Sequence, residues 1–119
     1  LVPPDMISYS TTKASMHAVS RGLALLTKGT GVTSNVVVPG STLTKGAKTF
    51  LADKAKKYDT SPKAIEKDFF NNDRTSSLLK RFASTDEVAT TITYLCSPLS
   101  SATNGSVIKV DGGSSGGIL

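Results

Sequence analysis

The 119-residue chain has no tryptophan, one cysteine and one histidine. One thiol cannot form an internal disulfide, and one Cys with one His cannot build a zinc centre, so no metal site is expected. Cys96 lies in the apolar run Ile92-Thr93-Tyr94-Leu95-Cys96 and reads as a buried core thiol, in keeping with a reducing cytosol. Aromatic residues make up only 6%. They offer no stacking platform, and no nucleic-acid-binding motif is present, so no nucleic-acid partner is expected. No apolar stretch approaches the ~18 residues that mark a spanning helix. The expectation is no membrane partner and a cytoplasmic location. The start, Leu1-Val2-Pro3-Pro4-Asp5, has no basic region followed by an apolar segment and is not a signal peptide. It carries no initiator Met and reads as the middle of a loop.

What is present suits a folded chain. Hydrophobic residues account for 38% and charged residues for 19%, which is not a disordered composition. The length suffices for one small domain. The net charge is +5, and most of the basic residues fall between Lys45 and Arg81, interleaved with acids. Such a segment is either a solvated face or a surface that meets an acidic partner, such as a carrier protein or a phosphorylated substrate.

Along the chain, residues 1–8 read as a loop. A helix follows from about Ser10 to Lys28, with apolar and small residues on more than one face. Such a helix is buried or packs against another subunit. Gly29 and Gly31 end it. Ser34-Asn35-Val36-Val37-Val38 has the β-branched run of a strand covered on both faces, stopped by Pro39-Gly40. Ala47 to Lys57 is helical in character. Ser61 and Pro62 open a further helix as cap and first position, which fades at Asn71-Asn72. Thr75 to Phe82 is irregular. Ser84 and Glu87 form a capping box for a helix reaching Ser97, where Pro98 blocks extension. Val107-Ile108-Lys109-Val110 is a second strand, followed by a small, flexible tail. The order helix, strand, helices, helix, strand implies an α/β fold with parallel pairing. Two strands are too few for a stable sheet of that kind. The chain is therefore expected to be the C-terminal part of a Rossmann-type, doubly wound parallel sheet.

Tyr9 and Lys13, in Tyr9-Ser10-Thr11-Thr12-Lys13, fall on one helical face because one turn separates them. A cation beside a phenol favours the phenolate. The pair suits general acid–base chemistry at a carbonyl.

Tyr9-x-x-x-Lys13 opening a helix, then Asn35-Val36-Val37-Val38-Pro39-Gly40, Thr42 and Thr44, then Asn104-Gly105 and Val110-Asp111-Gly112-Gly113, follow one another in a specific order. The arrangement resembles the C-terminal half of the short-chain dehydrogenase/reductase family, across essentially all 119 residues. The resemblance is strongest to 3-oxoacyl-carrier-protein reductases and related oxidoreductases. It implies an NAD- or NADP-dependent enzyme interconverting a ketone and a secondary alcohol, on a small-molecule substrate that a carrier could present. Tyr9 matches the acid/base and Lys13 the lysine that acidifies it and holds the nicotinamide ribose. Pro39 and Gly40 match the turn against the nicotinamide. Thr42 matches the position whose backbone amide meets the carboxamide. Thr44 matches the threonine whose hydroxyl supports that group or a phosphate. Residues 41–82 match the substrate-loop region, and a homo-oligomer is implied. Turn formation alone would also account for Thr42 and Thr44. Glycine at 40 lets a flat ring approach the backbone.

The departures count as well. The family's phosphate-cradling glycine turn and its cofactor-selecting residue belong to an N-terminal nucleotide-binding half with no counterpart here. The catalytic serine would fall before Leu1. Ser8, Ser10 and Ser15 read as helix-capping or packing residues, His17 as a plain helical histidine, and Phe69, Phe70 and Phe82 as core. The expectation is a chain inactive by itself. The alternative is a non-catalytic oligomerising module built on the first helix.

Overall fold

The computed structural model describes residues 4–117. The chain divides into two compact units, Leu1–Val38 with Thr91–Ile108, and Pro39–Thr90 with Lys109–Leu119. Residues 1–3 of the expected opening loop lie outside the described residues.

In the first unit a 3-10 turn, Pro4–Met6, runs straight into helix α1, Ile7–Leu26. The helix starts earlier than the sequence suggests. Pro4 suits a first turn, where its missing N–H is no loss, and no side chain caps the helix proper. Tyr9 therefore lies inside the first turn. Thr27 closes the other end, donating from its backbone N–H to Leu23 O at 3.1 Å and from its hydroxyl to Val32 O at 3.2 Å. Gly29 then turns the chain at φ 79°, a conformation only glycine adopts freely. Only Ser20 and Ala24 of α1 are buried, while Val19 and Leu26 are 62% and 82% exposed. Of the two settings expected from its all-round apolar pattern, burial or packing against another subunit, the described residues do not supply burial. No helix among the described residues is long and apolar enough to cross a membrane.

Strands β1, Val36–Pro39, and β2, Val107–Val110, make a two-stranded parallel sheet. Val36 N–H donates to Ser106 O at 2.9 Å, and Gly40 N–H to Val110 O at 3.0 Å. The valines of β1 are half-buried rather than covered on both faces. Just before β1, Asn35 Nδ2 donates to Thr103 O at 2.8 Å while its Oδ1 accepts from Ser106 N–H at 3.1 Å. Asn104 Oδ1 accepts from Ser34 N–H at 2.9 Å. The two asparagines thus bind each other's strand ends across a long stretch of sequence.

In the second unit α2 spans Lys45–Lys57, α3 spans Pro62–Asp68, and a π-turn, Phe69–Asp73, continues it where the sequence suggested fading. Ser61 caps α3, its side chain accepting from Ala64 N–H at 3.2 Å. The core joins Leu51, Phe70 and Phe82, with Leu43, Ala47, Ile65 and Phe69 against them. Phe69 stacks on Phe82 at 5.3 Å, and Phe70 meets both rings edge-on at 5.1 Å. The three phenylalanines are core residues, as read from the sequence. An isolated parallel bridge, Thr42 with Ala83, ties the segment after β1 to the segment before α4.

Helix α4, Thr85–Leu95, ends before the expected Ser97, and a 3-10 turn, Pro98–Ser100, follows. Val88, Thr91 and Leu95 form its half-buried stripe. Cys96 lies beyond the last helical residue and off that stripe, so it is exposed rather than buried. The capping box forms as predicted: Glu87 N–H donates to Ser84 Oγ at 3.1 Å, and Ser84 N–H to Glu87 Oε2 at 2.7 Å. Arg81 adds a two-pronged pair to the same carboxylate at 2.8 and 3.0 Å.

Two predictions follow from these contacts. Asn35→Ala leaves Thr103 O and Ser106 N–H without partners and should lower stability by about 1–3 kcal/mol in urea denaturation. The Arg81 guanidinium and then the Ser84 amide hold the Glu87 carboxyl at about 2, below its ordinary 4.5. A depressed folded-state value stabilises above the unfolded value and ceases to as pH falls through the folded one. The melting temperature of Glu87→Gln should therefore lie below that of the parent at pH 6, and the gap should close between pH 4.5 and 2.

Candidate active site

The helical spacing brings Tyr9 and Lys13 together. Lys13 Nζ stands 5.6 Å from the centroid of the Tyr9 ring, within cation–π reach. The ring is 56% exposed, so it is open to a ligand. Among the described residues neither the Tyr9 hydroxyl nor the Lys13 ammonium has a hydrogen-bond partner. Their neighbours are engaged otherwise. Thr11, Thr12 and Ser15 donate their hydroxyls back to carbonyls one turn earlier, at 2.9, 3.0 and 3.0 Å. This is helix-internal bonding. His17, one turn beyond Lys13, is half-buried.

Pro39, Gly40, Thr42 and Thr44 belong to the other unit. Pro39 is the last residue of β1 and exposed, rather than the breaker after it. Thr42 donates its hydroxyl to Gly40 O at 3.0 Å. Its own backbone N–H has no partner among the described residues. Thr44 is the N-cap of α2, its hydroxyl oxygen accepting from Ala47 N–H at 3.2 Å. That leaves the hydroxyl hydrogen of Thr44 free to donate. Both threonines therefore build the turn and still retain one donor each. Among the described residues no group of three His, Cys, Asp or Glu side chains could hold a metal ion.

Gly40 has a structural reason that its sequence position does not show. A Cβ placed there would come within 2.6 Å of Asp111 Cα and 2.7 Å of Asp111 O. The close approach is that of the chain's own backbone. Asp111, part of the Val110-Asp111-Gly112-Gly113 motif, shapes the turn after β2. Its carboxylate accepts from Gly113 and Ser115 N–H, each at 2.9 Å, and so orders the start of the tail. Partial burial pushes the Asp111 carboxyl up, but the bonds from Ser115 and Gly113 outweigh this and hold it below its ordinary value.

Comparison with known proteins places these features in context. A family model described as enoyl-(acyl carrier protein) reductase matches residues 2–115. The chain is 42% identical over 110 residues to the uncharacterized oxidoreductase YvrD of Bacillus subtilis (strain 168), covering 92% of this chain and 42% of the relative. It is 32% identical over 107 residues to the 3-oxoacyl-[acyl-carrier-protein] reductase FabG of Aquifex aeolicus (strain VF5), covering 90% and 37%. The crystal structure of L-sorbose reductase from Gluconobacter frateurii, complexed with NADPH and L-sorbose, superimposes with a TM-score of 0.76 at 28% identity, over 88% of this chain and 39% of that one. The chain thus spans about two-fifths of the length of the curated relatives it matches.

The close approach at Gly40 generates a paired prediction. Gly40→Ala should destabilise by about 1–3 kcal/mol, because backbone rather than a mobile side-chain end opposes the new methyl. Gly46→Ala, inside α2 with only Thr44 Oγ1 at 3.9 Å, should be stabilising by about 0.5–1 kcal/mol. Thermal denaturation of both variants checks the contrast.

Proposed function

The chain belongs to the short-chain dehydrogenase/reductase family, and on that footing we propose that it carries the acid/base half of an NAD(P)-dependent oxidoreductase interconverting a ketone and a secondary alcohol. The observation that carries this reading is the exposed Tyr9 ring with the Lys13 ammonium 5.6 Å from its centroid. A bound nicotinamide cofactor would donate hydride to the ketone in its reduced form, NADH or NADPH, and accept hydride from the alcohol in its oxidised form. In the reduction direction the Tyr9 hydroxyl gives its proton to the substrate oxygen, and in oxidation the same oxygen takes one. Lys13 holds a positive charge beside the phenol oxygen as that proton moves, and binds the cofactor's ribose. The fit of Thr42 and Thr44 to a cofactor rests on their free donors, while Pro39 and Gly40 would offer it the turn's backbone surface. The Thr42 amide and the Thr44 hydroxyl suit a carboxamide or phosphate acceptor. A carrier-bound substrate is compatible with the names of the family model and of the FabG relative.

A second reading is favoured by α1. Met16, Val19, Leu23 and Leu26 recur on one helical stripe and are all about half exposed or more. A face of that kind suits association with a copy of itself. Light scattering together with cofactor titration separates the readings, since an oligomer indifferent to NADH and NADPH supports the second.

In the full-length protein, Tyr9→Phe should lower kcat for ketone reduction by about 10²–10⁴. NADPH or NADH affinity, measured by fluorescence titration, should stay largely intact. Retained turnover would remove Tyr9 from the chemistry.

A further inference from the structure

The second unit contains a cavity that the proposed hydride chemistry does not use. It has a volume of about 570 Å³ and is lined by α3, the π-turn and the segment before α4. Lys63, Lys67, Lys80 and Arg81 all line it, and Glu66 is its only acid.

The charges in this cavity are unequally matched. Arg81 is neutralised by the two-pronged pair to Glu87. Glu66 is engaged as an acceptor for Phe82 N–H at 3.0 Å. Lys80 donates to Phe70 O at 3.2 Å and Thr75 O at 2.9 Å, partners that solvate its ammonium without cancelling its charge. It is held there despite a left-handed backbone at φ 53°, which is costly for a residue with a side chain. Lys63 and Lys67 are four apart on α3, where like charges repel. They have no ion-pair or hydrogen-bond partner among the described residues. Three ammonium groups therefore line one cavity with a single carboxylate, itself committed to an amide.

We propose that this cavity binds a small ligand carrying a phosphate group. A phosphate monoester brings close to two negative charges and three acceptor oxygens, which suits lysines acting as point charges. The volume exceeds that of a bare phosphate and falls within the usual range for small-molecule sites. It leaves room for an organic body against Ala64 and Phe70.

The test uses inorganic pyrophosphate, titrated into the full-length protein by calorimetry and by lysine-resolved NMR. Saturable one-site binding is expected, with the signals of Lys63, Lys67 and Lys80 moving. The Lys63→Gln/Lys67→Gln double variant should weaken binding roughly tenfold or more. Lys56→Gln/Lys57→Gln, which removes the same charge from the end of α2, should leave it unchanged. Equal losses in both double variants would reduce the effect to net charge and overturn the proposal. So would the absence of saturation below about 10 mM, or binding of polyglutamate but not pyrophosphate, which would make the surface a dock for an acidic polypeptide. Should the double variant not fold, the NMR shifts in the unaltered protein decide alone.

Discussion

The side-chain amide of Asn35 sets the geometry on which the sheet depends. Two strands of four residues cannot hold a register by backbone bonding alone. Asn35 supplies a donor to Thr103 O and an acceptor for Ser106 N–H, and both contacts fit only one alignment of the chain entering β2. Asn104 answers with an acceptor for Ser34 N–H. A slip of either strand would leave several partly buried polar groups without partners, each at a cost of about 1–3 kcal/mol. Neither apolar packing nor propensity specifies register so narrowly in a sheet this small. At the far end of the strands the same register lets Gly40 N–H reach Val110 O and brings Asp111 against the bare α-carbon of Gly40. Glycine at 40 follows from that alignment.

The second unit solves a different problem. Its core is small, and aromatic area compensates for few residues. Three phenylalanine rings in mutual contact, two edge-on and one stacked, gain both burial and favourable ring geometry. Phe69 and Phe70 are adjacent in sequence, and both touch Phe82. The π-turn that holds them is the local distortion accompanying that placement. Lys80 then ties the carbonyl of Phe70 in the turn to that of Thr75 beyond it, and its strained backbone is the counterpart of that tie.

Local signals were legible in the sequence, and non-local ones were not. Ser61 with Pro62, Ser84 with Glu87, and the Tyr9–Lys13 spacing all act within one helical turn, so composition and spacing suffice to find them. Strand β2 was read with its bounds, because a β-branched run beside Asp-Gly-Gly leaves little choice. The errors share a cause. Cys96 looked buried because it follows an apolar run, yet the stripe that faces inward on α4 is Val88, Thr91 and Leu95. Helix α1 was expected to be buried or packed on another subunit, and the described residues do not enclose it, because hydropathy reports what side chains prefer, not what surrounds them. The backbone approach at Gly40 was not legible because Asp111 is distant in sequence. The π-turn and the positive φ of Lys80 likewise depend on contacts across the segment.

Hydrogen-bond capacity separates residues that build from residues that could act. Ser20 bonds Ser34, Thr27 holds the end of α1, and Ser100 is bound twice. In those residues the polar atoms are consumed by the fold, and a functional role would first have to break structure. Tyr9 and Lys13 differ, because among the described residues the Tyr9 hydroxyl and the Lys13 ammonium have no hydrogen-bond partner while the helix sets the spacing of their backbones. Thr42 and Thr44 lie between these cases. Each uses one side of its hydroxyl to shape the turn, which fixes where the remaining donor points. A donor that is both free and immobilised is what a polar ligand needs, since little ordering entropy remains to oppose binding.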